Sequence, residues 1–171
     1  MASETSAVGG GIRPSGGNAD RLHEISRAPF LLCRAGSNFC ALPLDRVAEI
    51  MRALPIEAVA GAPRYVCGLS VIRGAPAPVV DIGVLLGDQP TRAERLVAIK
   101  IGNRTVALAV DAVLGIRTIA DTSELPPLLR EASAAIAAIG TLDSALLFFL
   151  RTARIVPEDL LVHLRADGAA A

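Results

Sequence analysis

The sequence predicts an all-β protein of the barrel or sandwich class. Three observations carry that reading. The apolar runs are short, roughly eight to ten in number, and built from Val, Leu, Ile and Ala. Glycine or asparagine punctuates them at turn-like intervals. The strand–helix alternation of a doubly wound parallel sheet is absent. No exact repeat is visible, but two halves of similar style meet near residue 90.

Taken in order, residues 1–28 read as a flexible tail, polar and glycine-rich, without the apolar stretch of a signal peptide. FLLCRA and NFCAL then flank Gly36-Ser37-Asn38, a hairpin signal. Pro43 opens PLDRVAEIMR, where Leu44, Val47, Ile50 and Met51 fit a helical face as well as a strand with a turn. Pro55 and Pro63 punctuate the next stretch. Tyr65 to Ile72 and Val79 to Ile82 read as an antiparallel pair broken by Arg73-Gly74-Ala75-Pro76. Asp81 is placed to cap a short helical turn that Gly87 ends.

RLVAIKI and RTVALAV meet at Gly102-Asn103, a second hairpin. Asp111 to Ile119 continues with Val113 and Ile116 as core candidates. Ala120 to Glu131, with Pro126-Pro127, reads as a long loop or a short helix. The stretch 134–150 is 17 residues long with a single charge, Asp143. A membrane helix needs about 20 apolar residues. Gly140 and Asp143-Ser144 instead divide the stretch into two strands, Ile136 to Leu142 and Ala145 to Leu150. Pro157 opens a short helix ending near Leu164, with two acids in its first turn. Residues 165–171 read as a frayed tail.

Composition excludes several functions. The 171 residues fit one domain or a tight pair of small lobes. An apolar content of 52% is enough to fill a core. Lys plus Arg and Asp plus Glu are 17 each, so no net field draws nucleic acid or an anionic membrane. Aromatics are limited to Phe30, Phe39, Tyr65, Phe148 and Phe149, too few for a base-stacking platform. Cys33, Cys40 and Cys67 form no CxxC and read as core thiols in a reducing compartment. With only His23 and His163, a three-His zinc site cannot form. Neither a nucleophile elbow nor a phosphate loop occurs, and GGGIR at 9–13 follows no strand. Asp81 and Asp111 end strand-like runs and read as caps. Asp45, Glu49 and Arg52 fit a solvated, ion-paired face if that segment is helical. No catalytic, metal or cofactor-binding residue is expected. Arg73 stays open between a turn arginine reaching into water and an anchor for a partner.

The order of these segments resembles one family. Phe39-Cys40-Ala41-Leu42-Pro43-Leu44-Asp45-Arg46-Val47-Ala48-Glu49-Ile50 matches its first element. Pro63 and Tyr65, then Gly68 to Gly74, then Pro78-Val79-Val80-Asp81-Ile82 match its second. Val106 to Val113 is similar to a later strand, and Leu146 to Leu150 with Ile155 to its close. The family is that of the CheW-like domain, the coupling proteins of bacterial chemotaxis. The resemblance implies two packed five-stranded SH3-like β-barrels with short helices over residues 29–164. It implies a non-enzymatic, cofactor-free adaptor in the cytoplasm, recruited to membrane-anchored receptor arrays. Its partners would be the regulatory domain of a CheA-type histidine kinase and the cytoplasmic tip of a methyl-accepting receptor.

Carried over by position, Val47 and Glu49 match a region of receptor and kinase contact. Gly68 matches a glycine of close chain approach. Arg73 with Gly74 is the family's Arg-Gly element. Leu69 and Val71 would pack on partner side chains, and Asp111 and Val113 would line the second barrel's side of a groove. Two departures stand out. Val71 sits where the family usually has an amide, and Leu150-Arg151 replaces a usual Leu-Asp. They raise the alternative of a paralogue in pilus or surface-motility signalling, or of a cap that modulates arrays.

Overall fold

The first hairpin shows how this sequence makes its fold. In the computed structural model, which describes residues 16–130, 133–159, 161 and 162, β1 (Phe30–Ala35) and β2 (Asn38–Pro43) pair antiparallel. They turn at Gly36, whose φ of 62° suits glycine. Leu31, Cys33 and Ala35 enter one core, while Phe30 and Leu32 enter another. A strand buried on both faces keeps no polar alternation, so it reads as one apolar run.

After a 3₁₀ turn at Leu44–Arg46, the chain continues with β3 (Val47–Arg52), β4 (Val66–Ile72), β5 (Ala75–Asp81) and the short helix Ile82–Leu85. Then come β6 (Arg95–Ile101), β7 (Arg104–Val110), β8 (Ala112–Arg117) and the two-residue β9 (Thr122–Ser123). The chain closes with a helical turn at Pro127–Arg130, β10 (Ile136–Leu142), β11 (Ala145–Leu150) and a 3₁₀ turn at Thr152–Arg154. The segment 44–51, open between helix and strand, is thus a single turn followed by a strand. The 134–150 stretch is the expected pair of strands, turning at Asp143 and Ser144. No helix among the described residues is long and apolar enough to cross a membrane.

The strands form two sheets, β3-β6-β7-β5-β4 and β8-β1-β2-β11-β10-β9. The fold is all-β, two packed SH3-like barrels, and β9 is a short addition to the second. Each sheet has the same plan. A hairpin (β6–β7 or β1–β2) is flanked on one side by an antiparallel strand (β3 or β8). On the other side a second hairpin (β4–β5 or β10–β11) joins through a parallel pair, β5 with β7 or β11 with β2. Details repeat as well. The Asp81 N–H donates to the Tyr65 carbonyl at 2.7 Å, and the Arg151 N–H to the Ala135 carbonyl at 2.7 Å.

The two similar halves expected around residue 90 therefore exist in chain order, but they are not the two barrels. The first half gives β1–β2 to one barrel and β3–β5 to the other. The second gives β6–β7 to one and the rest to the other. The crossings between barrels are short: β2 reaches β3 through Leu44–Arg46, and β7 reaches β8 through Asp111 alone.

Val80, Val97, Ile99, Val106, Leu108 and Val110 of one barrel share a buried core with Leu31, Cys33, Cys40, Leu42 and Leu150 of the other. Each barrel also keeps an interior. Phe30 and Phe149 meet edge to face in one, with ring centres 4.9 Å apart, while Leu96 and Val79 fill the other. Cys33 and Cys40 are buried, and Cys67 is half-buried. Ile116, expected in the core, instead stands 58% exposed, because Ile116 and Leu114 lie on the outer face of edge strand β8.

Residues 16–27, expected within a flexible tail, form helix α1 (Gly16–Arg27). Leu22 and Ile25 pack on the core of the second barrel. The Ser26 hydroxyl holds the end of α1, lying 3.1 Å from the Ala120 carbonyl oxygen and 3.1 Å from the Thr122 hydroxyl. Only Leu22 and Ile25 are large apolar residues in these twelve, which gives little periodic signal, so docking rather than propensity makes this helix. Residues 1–15 and the 165–171 tail lie outside the described residues. After Pro157 a helical turn begins, the Leu161 N–H donating to the Pro157 carbonyl.

Candidate functional site

Arg73 sits at the tip of the β4–β5 hairpin. Ile72 pairs with Ala75, leaving a two-residue turn of Arg73 and Gly74 with φ of 51° and 79°. Two successive positive φ values give a turn whose twist matches the strands it joins. Glycine takes that conformation freely. Arginine takes it at a cost, so its side chain is held there against local preference.

Among the described residues the guanidinium has one charged partner. Arg73 Nε donates to Glu49 Oε2 at 2.7 Å, and this bond is the main cause that holds the Arg73 pKa above its ordinary value. Glu49 lies on β3, and Arg73 follows β4. These strands are the opposite edges of the five-stranded sheet, so the pair bridges the two edges as the sheet curls. The Arg73 side chain remains 79% exposed, leaving most of its donor fork free to meet a partner.

Neighbouring positions divide by strand alternation. On β3, Val47, Glu49 and Met51 turn inward and Ala48, Ile50 and Arg52 outward. Val47 packs at the edge of the shared core, while Ile50 is exposed. On β4, Val71 is 67% exposed, whereas Ser70 and Ile72 are buried. The surface therefore offers an ion-paired arginine with apolar Val71 exposed two residues before it on β4. Sequence reasoning misses Ile50 as a surface residue because its segment reads equally well as a helix.

Gly68 and Leu69 have a role inside the chain. Gly68 has φ of 146°, and a Cβ there would fall on the Glu57 carbonyl oxygen. Leu69 exchanges both backbone hydrogen bonds with Glu57 at 2.8 Å. The close approach at Gly68 is thus between two segments of this chain, and it fixes β4 beneath the Arg73 turn.

Asp111 and Val113 are set apart from this surface by their contacts. Asp111 is 8% exposed, and its carboxylate accepts from the Gly36 N–H at 2.7 Å and the Arg92 N–H at 2.6 Å. Val113 is half-buried against the shared core. Both residues hold the junction of the barrels. Asp81 caps as expected, accepting from the Val84 N–H at 3.0 Å and from Thr91. Burial, then the Asp81 charge, raise the Cys67 thiol pKa. A side-chain hydrogen bond that the protonated Cys40 thiol makes to Cys33, then burial, raise that of Cys40. Neither thiol is poised as a nucleophile. Among the described residues no three His, Cys, Asp or Glu side chains group as metal ligands.

Comparison with known proteins places this arrangement. The sequence is 33% identical over 96 residues to a chemotaxis protein CheW of Rhizobium meliloti, covering 54% of this chain and 62% of that protein. It is 31% identical over 91 residues to a probable chemotaxis protein CheW of Rhizobium etli, covering 52% and 59%. The matches thus span about six-tenths of the length of these two relatives. Protein FrzA of Myxococcus xanthus is 28% identical over 119 residues, 68% of this chain and 74% of that one. The fold superposes on the scaffolding protein TtCheW of Thermoanaerobacter tengcongensis with a TM-score of 0.64 at 19% identity, covering 72% of this chain and 88% of that one. The sequence profile of the CheW-like domain matches residues 29–159, from β1 to the turn after Pro157, and the chain belongs to the CheW-like domain family.

Proposed function

We propose that this chain is a non-enzymatic adaptor that couples methyl-accepting chemoreceptors to a CheA-type histidine kinase. The observation that carries the reading is the Arg73–Glu49 pair, exposed at the edge of a barrel in a chain of this family. A buried network would have pointed to a purely structural arginine. Instead the guanidinium is oriented by one carboxylate and left open to solvent, with Val71 exposed two residues before it on β4. Arginine and apolar anchors of this kind carry most of the energy at protein interfaces.

The mechanism is geometric. The five-stranded barrel presents Arg73, Glu49 and Val71 to the kinase regulatory domain. Val47 supports that face from the inner side of β3, and Leu69 lies on the same side of β4 as Val71. Gly68 and Gly74 give the backbone its shape. The receptor tip enters between the barrels, where Asp111 and Val113 fix the junction. Receptor movement then biases kinase activity through contacts held in place by the array. Residence at membrane-anchored arrays follows from binding the receptor.

Calorimetric titration of the kinase regulatory domain tests this. Arg73→Ala is expected to weaken binding by about tenfold, the loss of one charge-assisted contact, without changing the thermal midpoint by more than a degree or two. Unaltered binding in a folded Arg73→Ala chain contradicts the reading. Val71 and Arg151 favour a second reading, a paralogue serving a separate receptor–kinase pathway. Titration against each kinase of the host separates the two by which one binds.

A further inference from the structure

Arg151 occupies a place where its counterpart does a different job. Asp81 ends β5 and caps the following helix, while Arg151 follows β11 at the start of the Thr152–Arg154 turn and makes no side-chain cap bond. The matching backbone bonds to Tyr65 and Ala135 show that the two positions correspond. Where one barrel has a carboxylate turned onto backbone amides, the other has a guanidinium that those amides cannot use.

Arg151 instead lines a cavity of about 190 Å³ with Asn18 and Arg21 of α1, and with Glu124 and Arg130. Arg130 is occupied, its Nε donating to the Leu125 carbonyl and a terminal nitrogen pairing with Glu124. Among the described residues no acid pairs with Arg21 or Arg151. The wall thus holds three arginines against one glutamate, a local charge of +2 in a chain of net charge zero.

We propose that this cavity binds a phosphate dianion, as inorganic phosphate or as the phosphoryl group of a small phosphomonoester. The charge matches, since a phosphoryl group carries close to two negative charges near neutral pH. The donors match, since planar guanidinium forks bind tetrahedral oxyanions through paired N–H bonds. The size matches a single anionic group; whole drug-sized ligands need about 300 Å³ or more. Because Arg21 belongs to α1 and Arg151 to the end of β11, a bound anion fastens the N-terminal helix to its barrel.

The test is calorimetric titration of the full chain with inorganic phosphate and, separately, with phosphoserine, with sodium chloride at matched ionic strength as control. Saturable one-to-one binding of either phosphate compound, absent with chloride, is expected, with a rise in the unfolding midpoint. Tighter binding of phosphoserine identifies an esterified ligand, and equal or weaker binding the free ion; both support the site. Arg151→Asp restores the capping residue of the other barrel, so it should fold, and should bind about tenfold more weakly. Arg21→Ala, on a separate element, should do the same. Absence of saturable binding, or affinity unchanged in both folded variants, overturns the proposal. Kinase binding through Arg73 is a separate measurement, and neither result bears on the other.

Discussion

At the residue scale, Arg73 and Gly68 are opposite uses of backbone conformation. Arg73 holds φ of 51° with a Cβ, a cost of about 1 kcal/mol. Arg73→Gly should therefore raise stability by up to about that amount in urea unfolding while weakening partner binding. A substitution that stabilises and disables together marks a residue kept for contact. Loss of stability in Arg73→Gly would show instead that the Glu49 pair holds the barrel together. Gly68→Ala should behave in the other way. It places a Cβ against the Glu57 carbonyl at φ of 146°, and should cost roughly 2–4 kcal/mol. A near-neutral Gly68→Ala in thermal unfolding would contradict the close approach.

These two residues also show what the sequence discloses. Arg-Gly between apolar runs marks the turn directly, because few residues accept two positive φ values. The partner of Arg73 is invisible, since Glu49 lies 24 positions earlier and meets it only when the sheet curls. The depth of Asp111 is likewise hidden. A strand-end acid reads as a cap, but the amides it takes, on Gly36 and Arg92, come from distant turns.

At the scale of elements, strands are legible in the sequence and their partners are not. Burial on both faces makes strands such as β1 and β7 continuous apolar runs, which locates them but removes the alternation that would tell their faces apart. Where one face is exposed, as on β8, the alternation survives, and Leu114 and Ile116 can be read as outward only once its neighbour β1 is known. Helix α1 is unreadable for the opposite reason, too few apolar positions. Two predictions belong here. Asp111→Ala strips the acceptors from two backbone amides at the link between barrels and should cost about 2–3 kcal/mol in urea unfolding. The β1–β2 turn rests on Asp88, whose carboxylate accepts from the Ser37 hydroxyl at 2.6 Å and the Ser37 N–H at 2.9 Å. These bonds lower its pKa. A group depressed in the folded state contributes fully above its unfolded value and loses that contribution as pH falls through the folded one. Asp88 should therefore titrate below an ordinary aspartate by carboxyl NMR, and Ser37→Ala should move it back up.

For the whole molecule, the exchange of strands between halves has a direct consequence. Neither barrel is encoded by a continuous half, since β3–β5 need β6–β7 and β1–β2 need β8 and β11. Fragments 1–90 and 91–171 should each be unfolded alone and should fold when mixed, as circular dichroism would report. A fragment that folds alone contradicts the interleaved topology. That topology also serves the proposed function, because two barrels sharing strands from both halves and one core move as a unit and hold kinase and receptor surfaces in fixed relation.

The central claim is that this unit couples receptor to kinase. The most direct test is reconstitution of the full chain with its cognate kinase and a receptor signalling fragment, following kinase autophosphorylation. Stimulation that needs all three components, and that falls in a folded Arg73→Ala chain, is the predicted result. Autophosphorylation indifferent to the chain, with every cognate kinase and receptor fragment, would contradict it.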